Sequence, residues 1–291
     1  MGALTAMVLS AGLGTRLRPL TEHLPKPLVP IGDRSVLEHI VSHLRAFDGD
    51  ARVVVNAHHL AAPLGALCER EHIGLSLEPS LLGTAGGVRH AARLLGPGAV
   101  LVWNGDILGD IDVGALTSAH AASGARATLA VLARPAGEGN VGFDARGRVT
   151  RLRGETTAAG ERSGGEFTGV HVLGAALRDG LPATGCLVGD VYLPLLRAGG
   201  ALRAEIVDAR FSDVGTPSAY LDENLAWLAR TGRERWVGEG ARVSAAVTRS
   251  VVGAGAEVDA PVEECVVWPG ATVREPARRA LVGPWGVVAL S

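Results

Sequence analysis

Ala6-Met7-Val8-Leu9-Ser10-Ala11-Gly12-Leu13-Gly14-Thr15-Arg16-Leu17-Arg18-Pro19 decides how the rest of the chain is read. A short apolar run of strand length breaks into a turn that carries two glycines and then two cations. Glycine has no Cβ, so backbone N–H groups in such a turn can come close to phosphate oxygens. Two familiar phosphate loops are excluded. The dinucleotide fingerprint needs a third glycine where Leu17 stands, and no Gly-Lys-Ser/Thr occurs anywhere. Just downstream, Pro25-Lys26-Pro27 holds the only lysine of the chain; the other 27 basic residues are arginine. A compact ammonium enters a crowded phosphate cluster as a point charge, where a planar guanidinium does not fit. GC-rich coding alone would produce the same arginine bias, and it is the neighbouring loop that favours phosphate chemistry.

Outward from this loop, apolar runs of strand length alternate with segments of helical period. Val36 to Phe47 has helical spacing, Arg52 to Val55 is a strand, and a helix follows around His59 to Cys68. Ile73 to Leu77 precedes a helix from Ala85 to Leu95, and Ala99 to Trp103 is a strand that ends in Asn104-Gly105-Asp106. Continuous apolar strands separated by helices predict an α/β fold with a mostly parallel sheet covered on both faces. Ligands of such sheets bind beyond the carboxyl ends of the strands, so Gly12, Gly14 and Asp106 are expected at one crevice. Beyond about residue 125 the pattern turns more β-like, with strands at Ala127–Leu132 and Thr168–Leu173 and a hairpin at Gly142–Val149. Gly154 to Gly165 reads as a mobile loop and Tyr220 to Ala229 as a closing helix.

The tail repeats itself. Gly240-Ala241-Arg242-Val243, Gly255-Ala256-Glu257-Val258 and Gly270-Ala271-Thr272-Val273 recur every 15 residues, each followed at matching offsets by Val251-Val252, Val266-Val267 and Leu281-Val282. Short strands with small residues at the corners predict stacked coils rather than a sandwich-like meander. The expected division is therefore 1–232 for a catalytic domain and 233–291 for a short coil domain.

Composition narrows the partners. Over 291 residues, 47% are hydrophobic and 20% charged, with a formal net charge of -2. A sizeable core is expected, and the absence of a basic field argues against a nucleic-acid binder. Cys68, Cys186 and Cys265 are far apart and odd in number, which predicts reduced thiols and a cytoplasmic location. No apolar run approaches the roughly 18 residues of a membrane span, and no signal peptide is expected.

Three motifs carry chemistry. Gly12-x-Gly14-Thr15-Arg16 with Lys26 suits a triphosphate. Asp106, after a buried strand, is a candidate Mg²⁺ ligand, and Phe211-Ser212-Asp213-Val214-Gly215-Thr216-Pro217 offers a second carboxylate in Asp213. Mg²⁺ usually takes one or two carboxylates and completes its shell with phosphate and water. Leu82-Gly83-Thr84-Ala85-Gly86-Gly87 opens a helix and reads equally as a lining for a flat base or as a close-packed helix start.

These motifs in this order resemble the sugar-1-phosphate nucleotidyltransferases, over essentially the whole chain. The resemblance implies a Rossmann-like catalytic domain with a left-handed β-helix behind it, and it assigns roles by position. Ala11, Gly12, Gly14, Thr15, Arg16 and Lys26 would cradle the nucleoside triphosphate, and Gly83, Thr84 and Gly86 would border its base. Asp106 and Asp213 would bind Mg²⁺. Asn104, Gly142, Glu166, Thr168 and Gly169 would meet the sugar 1-phosphate. Arg16, Lys26 and Asp106 would be the catalytic set. One departure stands out, because many members carry a second lysine between the Gly142 and Glu166 motifs; here either Arg151 or Arg153 replaces it, or Asp190-Val191-Tyr192 marks a subgroup with another arrangement.

The implied reaction is attack of a sugar-1-phosphate oxygen on the α-phosphorus of the triphosphate, with pyrophosphate leaving. GTP and mannose 1-phosphate are the preferred pair, since Leu82 to Gly86 and the tail resemble mannose-1-phosphate guanylyltransferases. Phe167 to His171 and Gly189 to Tyr192 are instead similar to uridylyltransferases that act on amino sugars. A choline-phosphate cytidylyltransferase and a non-catalytic regulatory homologue stay open. A homo-oligomer assembled through the tail is expected. Because every candidate catalytic residue precedes Tyr220, removing 236–291 is expected to spare the chemistry.

Overall fold

The structure is a computed structural model that describes residues 3–158 and 160–290. The chain divides into two compact units, Met1–Gly12 with Ile40–Phe211, and Leu13–His39 with Ser212–Ser291. The division falls inside the glycine-rich loop, between Gly12 and Leu13. The boundary at 232/233 read from the sequence is a change of architecture within the second unit, where a helix gives way to coils.

The first unit is built on a ten-stranded sheet. In chain order its strands are β1 (Thr5–Leu9), β2 (Arg52–Ala57), β3 (Gly74–Leu77), β4 (Val100–Asn104), β5 (Ala127–Arg134), β6 (Val141–Phe143), β7 (Val149–Leu152), β8 (Glu155–Thr156), β9 (Ser163–Leu173) and β10 (Leu202–Ile206). They lie in the order β8-β7-β6-β9-β4-β1-β2-β3, with β5 on β9 and β10 on β5. Pairing is parallel through β4, β1, β2 and β3, and between β5 and β10; the hairpins from β6 onward are antiparallel.

The parallel strands are continuously apolar because water reaches neither face. Ala6, Met7 and Val8 are all 0% exposed. Alternation sends Met7, Val100, Val102, Leu129 and Leu173 to one side, where Ala85 and Val88 of the Gly83–His90 helix and Tyr192 meet them. On the other side Trp103 lies edge-on to His43 of the Val36–Phe47 helix, and Thr128 is hydrogen-bonded to His120 of the Val113–Ser123 helix at 2.9 Å.

Leu9 pairs with Asn104, and Gly105 N donates to Leu9 O at 2.8 Å. The loops after β1 and β4 therefore leave the same edge of the sheet side by side, as parallel winding requires. β9 spans two neighbours, β4 with its second half and β6 with its first, and its register on β5 slips between Phe167 and His171. Two sequence expectations change. The helix expected over Ala85–Leu95 is two, Gly83–His90 and Ala92–Leu95. The mobile loop expected over 154–165 is partly strand, since Glu155–Thr156 closes an edge hairpin and Ser163 already belongs to β9. Ala159 lies outside the described residues.

In the second unit, coil strands stack in parallel at a 15-residue register. Trp236, Val251, Val266 and Leu281 follow one another in one small sheet, Arg242, Glu257 and Thr272 in a second, and Val247, Val262 and Ala277 in a third. Buried Val251, Val258, Val266 and Leu281 fill the inside. An antiparallel hairpin, Ala280–Gly283 with Gly286–Ala289, ends the stack.

The Pro217–Arg230 helix joins the remaining parts of this unit. Thr216 caps it by accepting from Ala219 N, and Pro217 occupies its first turn. Buried Asn224 accepts from Gly32 N at 2.9 Å and donates to Tyr220 O, while Tyr220 accepts from Trp268 Nε1 at 3.0 Å. Trp227 and Trp236 meet edge to face, so both are packing anchors.

Between the sheet of the first unit and the π-turn Leu187–Tyr192, His171 and Tyr192 are buried with neither imidazole nitrogen nor the phenol oxygen hydrogen-bonded. Their rings meet edge to face at 5.6 Å. Burial pushes the His171 pKa down to about 3. Below about 6.5 the unfolded chain takes up a proton that the folded chain refuses, so this contribution to stability is full above that pH and declines as pH falls toward 3. Between pH 7.5 and 5.5 the loss should be about 1.4 kcal/mol. Urea unfolding of the wild type and His171→Leu at those two pH values checks this: the variant should lose that slope, and an equal slope in both would place the proton uptake elsewhere.

Candidate functional site

In the first unit the loop after β1 is anchored from below. Ser10 N donates to Asn56 Oδ1 at 2.7 Å, Asn56 Nδ2 donates to Glu78 Oε1 at 2.6 Å, and the other Glu78 oxygen accepts from Leu82 N. Asn56 and Glu78 are 3% and 6% exposed. A buried polar chain of this kind is stable only when every member is satisfied, and then it fixes geometry. It ties the glycine loop to the turn before Gly83. Sequence reasoning missed both residues; the available signal was a lone Asn closing the run Val53-Val54-Val55.

Above this network Ala11 is buried and Gly12 exposed, and a Cβ at Gly12 would meet nothing within 4 Å. No protein atom forces glycine there, and the space is open for another group. Gly83, Thr84 and Gly86 have a different environment. Ala85 N donates to Gly185 O, Leu187 N donates to Thr84 Oγ1 at 2.7 Å, and a side chain at Gly83 or Gly86 would run into the 183–185 backbone. Close packing at the helix start accounts for these residues.

Asn104 ends β4 and Asp106 follows it; both are half-buried, and Asp106 is partnered within the protein. Gly169 sits at the register slip of β9 with φ 78°, and a Cβ there would lie 2.5 Å from Asn104 Nδ2. The left-handed backbone and the close approach both require glycine. Thr168 Oγ1 turns away and donates to Ala130 O at 2.9 Å, so its side chain supports the sheet. Glu166 accepts from Asn140 Nδ2 at 2.5 Å, and Phe167 N donates to Asn140 Oδ1.

Gly142 lies under the Glu161 carboxylate, which Arg151 grips through Nε at 2.9 Å and Nη2 at 3.0 Å. Arg151 also donates to Gly139 O and Glu138 O, and Gly137 N donates to Glu161. The hydrogen bonds from Arg151 hold the Glu161 carboxyl below its usual range, and Glu161 raises the guanidinium. Arg151 is thus committed as a staple across three chain segments. Of the two arginines considered for the absent second lysine, Arg153 is the one not so engaged; it stands at the end of the β7 hairpin with φ 49°.

The cations of the phosphate loop belong to the second unit. Gly14 has φ 62°, and a Cβ there would lie 2.7 Å from Thr21 Cγ2, while Thr21 Oγ1 donates to Gly14 O at 2.8 Å. Thr15 starts a short turn, Thr15–Leu17, that carries Arg16 outward. Lys26 Nζ is 3.8 Å from Asp213 Oδ1, and Arg16 Nη2 is 3.8 Å from Asp213 Oδ2. Arg16 is 66% exposed at its side chain and Lys26 12%. Both contacts are ion pairs too long for hydrogen bonds. Asp213 Oδ1 is buried with no hydrogen-bond partner. One carboxylate therefore stands between the two cations with bonding capacity left over.

That surplus fits a hard cation such as Mg²⁺, which accepts carboxylate oxygens. Among the described residues no three His, Cys, Asp or Glu side chains converge on one point. A Mg²⁺ ion that takes most of its shell from phosphates and water needs only one or two.

The chain is similar to several known proteins. The model of the nucleotidyl transferase family matches residues 5–154. N-acetylmuramate alpha-1-phosphate uridylyltransferase of Caulobacter vibrioides is 40% identical over 126 residues, 40% of this chain and 52% of the relative. UTP--glucose-1-phosphate uridylyltransferase of a Synechocystis species is 28% identical over 248 residues, covering 77% of this chain and 63% of the relative. Mannose-1-phosphate guanylyltransferase of Mycobacterium tuberculosis is 35% identical over 129 residues, 43% of this chain and 36% of the relative. The matched segments thus span less than two thirds of each relative. The crystal structure of HddC from Yersinia pseudotuberculosis complexed with GMP-PN superposes with a TM-score of 0.64 at 20% identity, covering 77% of this chain and 99% of that one, a likeness of fold. With half of its length matched by the family model, the chain belongs to the nucleotidyl transferase family.

Proposed function

We propose that the protein transfers a nucleotidyl group from a nucleoside triphosphate to a sugar 1-phosphate, releasing pyrophosphate. The observation that carries this reading is the Lys26–Asp213–Arg16 cluster beside Gly14: two cations held by one carboxylate whose buried Oδ1 accepts no hydrogen bond. A sugar-1-phosphate oxygen forms the new bond to the α-phosphorus, the α–β bridging bond breaks, and its electrons leave with pyrophosphate. Arg16 and Lys26 hold the β- and γ-phosphates and balance the charge that develops there. Backbone at Ala11, Gly12, Gly14 and Thr15 approaches the triphosphate, with Gly83, Thr84 and Gly86 toward the base. Asn104, Glu166 and Gly169 orient the sugar, whereas the Thr168 side chain is committed to the sheet and Gly142 is covered by Glu161. No covalent enzyme intermediate is required, so positioning and electrostatics supply the rate. Mg²⁺, with Asp106 and Asp213 as its protein ligands, would supply charge neutralisation at the phosphates.

GTP with mannose 1-phosphate is the first pair to test, supported by the guanylyltransferase relative and by a coil tail that we read as a short left-handed β-helix. UTP with an amino-sugar 1-phosphate is the second reading, favoured by the 40% identity to the N-acetylmuramate enzyme. Assembly as a homo-oligomer through the tail belongs to the proposal, supported by Val287 at 63% exposure. No described helix is long and apolar enough to cross a membrane, and the three cysteines are free thiols, which supports a cytoplasmic setting.

Pyrophosphate release across a panel of triphosphates and acceptors tests the reading. One base and one sugar class should dominate, and no release with any sugar 1-phosphate would refute transfer. Lys26→Arg should lower kcat roughly 10- to 100-fold although charge is kept, because a broader guanidinium cannot occupy the 12%-exposed pocket of a point charge. Near-normal turnover would show that charge alone matters. Asp106→Asn and Asp213→Asn should each fold yet lose roughly two to four orders of magnitude of Mg²⁺-dependent activity. Retained activity in either would remove that carboxylate from the metal site.

A further inference from the structure

The terminal hairpin of the coil stack touches the segment that leads to Lys26. The Trp285 ring folds back over Gly283, meets Trp268 edge to face at 4.5 Å, and lies 5.3 Å from the ring of His23. Trp268 in turn donates to Tyr220 on the Pro217–Arg230 helix, which begins four residues after Asp213. His23 stands between Thr21, whose hydroxyl holds Gly14 O, and Lys26, whose ammonium faces Asp213. Within the second unit, contacts therefore run from His23 through Trp285 and Trp268 to Tyr220, and Thr21, two residues before His23, holds Gly14.

Trp285 breaks a local rule. Its indole Nε1 is buried with no hydrogen-bond partner, so ring packing alone holds it. A buried donor left unpaired is uncommon, and such exceptions concentrate where function constrains the chain. Locally the 18–26 segment has one single 3₁₀ turn, Leu20–Glu22, and an Arg18–Glu22 ion pair, and Trp285 adds an aromatic contact from the coil tail.

We infer that Trp285 is a positioning residue for the triphosphate loop: the coil tail braces the His23 segment and so sets where Gly14 and Lys26 meet the nucleotide. The inference rests on the reading that this loop binds the triphosphate. It reverses the expectation from the sequence that residues 236–291 are dispensable for the chemistry. Trp285 touches no substrate; it acts through His23.

The test uses the full chain. Trp285→Ala should raise the KM for the nucleoside triphosphate roughly five- to tenfold, the scale of one lost aromatic contact, and leave the KM for the sugar 1-phosphate unchanged. Trp285→Phe should restore most of the difference. His23→Ala should give the same nucleotide-specific rise, and the double variant should add little to either single change, because both remove one contact. Equal nucleotide KM in the wild type and Trp285→Ala, or a rise in both KM values that Trp285→Phe does not rescue, overturns the inference. If Trp285→Ala does not fold, an unchanged nucleotide KM in His23→Ala overturns it. Direct titration with the triphosphate and Mg²⁺ separates the two levels. A wild type that binds no nucleotide overturns the underlying reading, whereas a wild type that binds as tightly as Trp285→Ala overturns only the bracing.

Discussion

The phosphate-facing end of the second unit depends on the electrostatic balance at Asp213. Two cations brought toward one phosphate loop repel each other, and without a counter-charge neither would hold its place. Asp213 sits 3.8 Å from each. At that separation a pair near a protein surface gains on the order of 4 kcal/mol at most, and exposed Arg16 much less once solvent screens it. The arrangement is therefore a weak contact between opposite charges. One oxygen of Asp213 is buried without a hydrogen bond and has only the Lys26 ion pair.

The sheet and the second unit each serve this loop by a different route. In the first unit, parallel pairing of β1 with β4 brings Gly12 and Asn104-Gly105-Asp106 to one edge, and the Ser10–Asn56–Glu78 chain fixes the base of the turn. In the second, the Pro217–Arg230 helix holds the 13–39 segment through Asn224 and the coil stack through Tyr220. A tail that looks like an appendage in sequence is thus continuous, through side-chain contacts, with the residues that precede Lys26.

Much of this was legible in the sequence where a pattern has one physical solution. Continuous apolar runs such as Met7 to Leu9 and Val53 to Val55 can be satisfied only between two covering layers. A 15-residue repeat of Gly-Ala-x-Val can be satisfied only by stacked coils of equal length, and Val251, Val266 and Leu281 pair accordingly. The glycines separated less cleanly. Gly14, Gly83 and Gly169 need their left-handed backbone, Gly83 and Gly86 also abut residues 183–185, and Gly12 meets open space. Spacing cannot distinguish these three causes, because each depends on what lies opposite. The Arg151–Glu161 staple and the Asn56–Glu78 pair were invisible for a similar reason, since they join residues whose proximity is created by the fold. The series from His23 to Trp285 was the least legible, because more than 250 residues of chain lie between its ends.

The most direct test of the proposed transfer follows the oxygen that forms the new bond. A sugar 1-phosphate labelled with oxygen-18 in its non-bridging phosphate oxygens is turned over with the preferred triphosphate and Mg²⁺, and both products are read by mass spectrometry and phosphorus NMR. The account predicts that the label sits in the bridge between the two phosphorus atoms of the nucleotide sugar and that the pyrophosphate carries none. Label in the released pyrophosphate, or a bridge without it, would contradict direct attack by the sugar phosphate on the α-phosphorus.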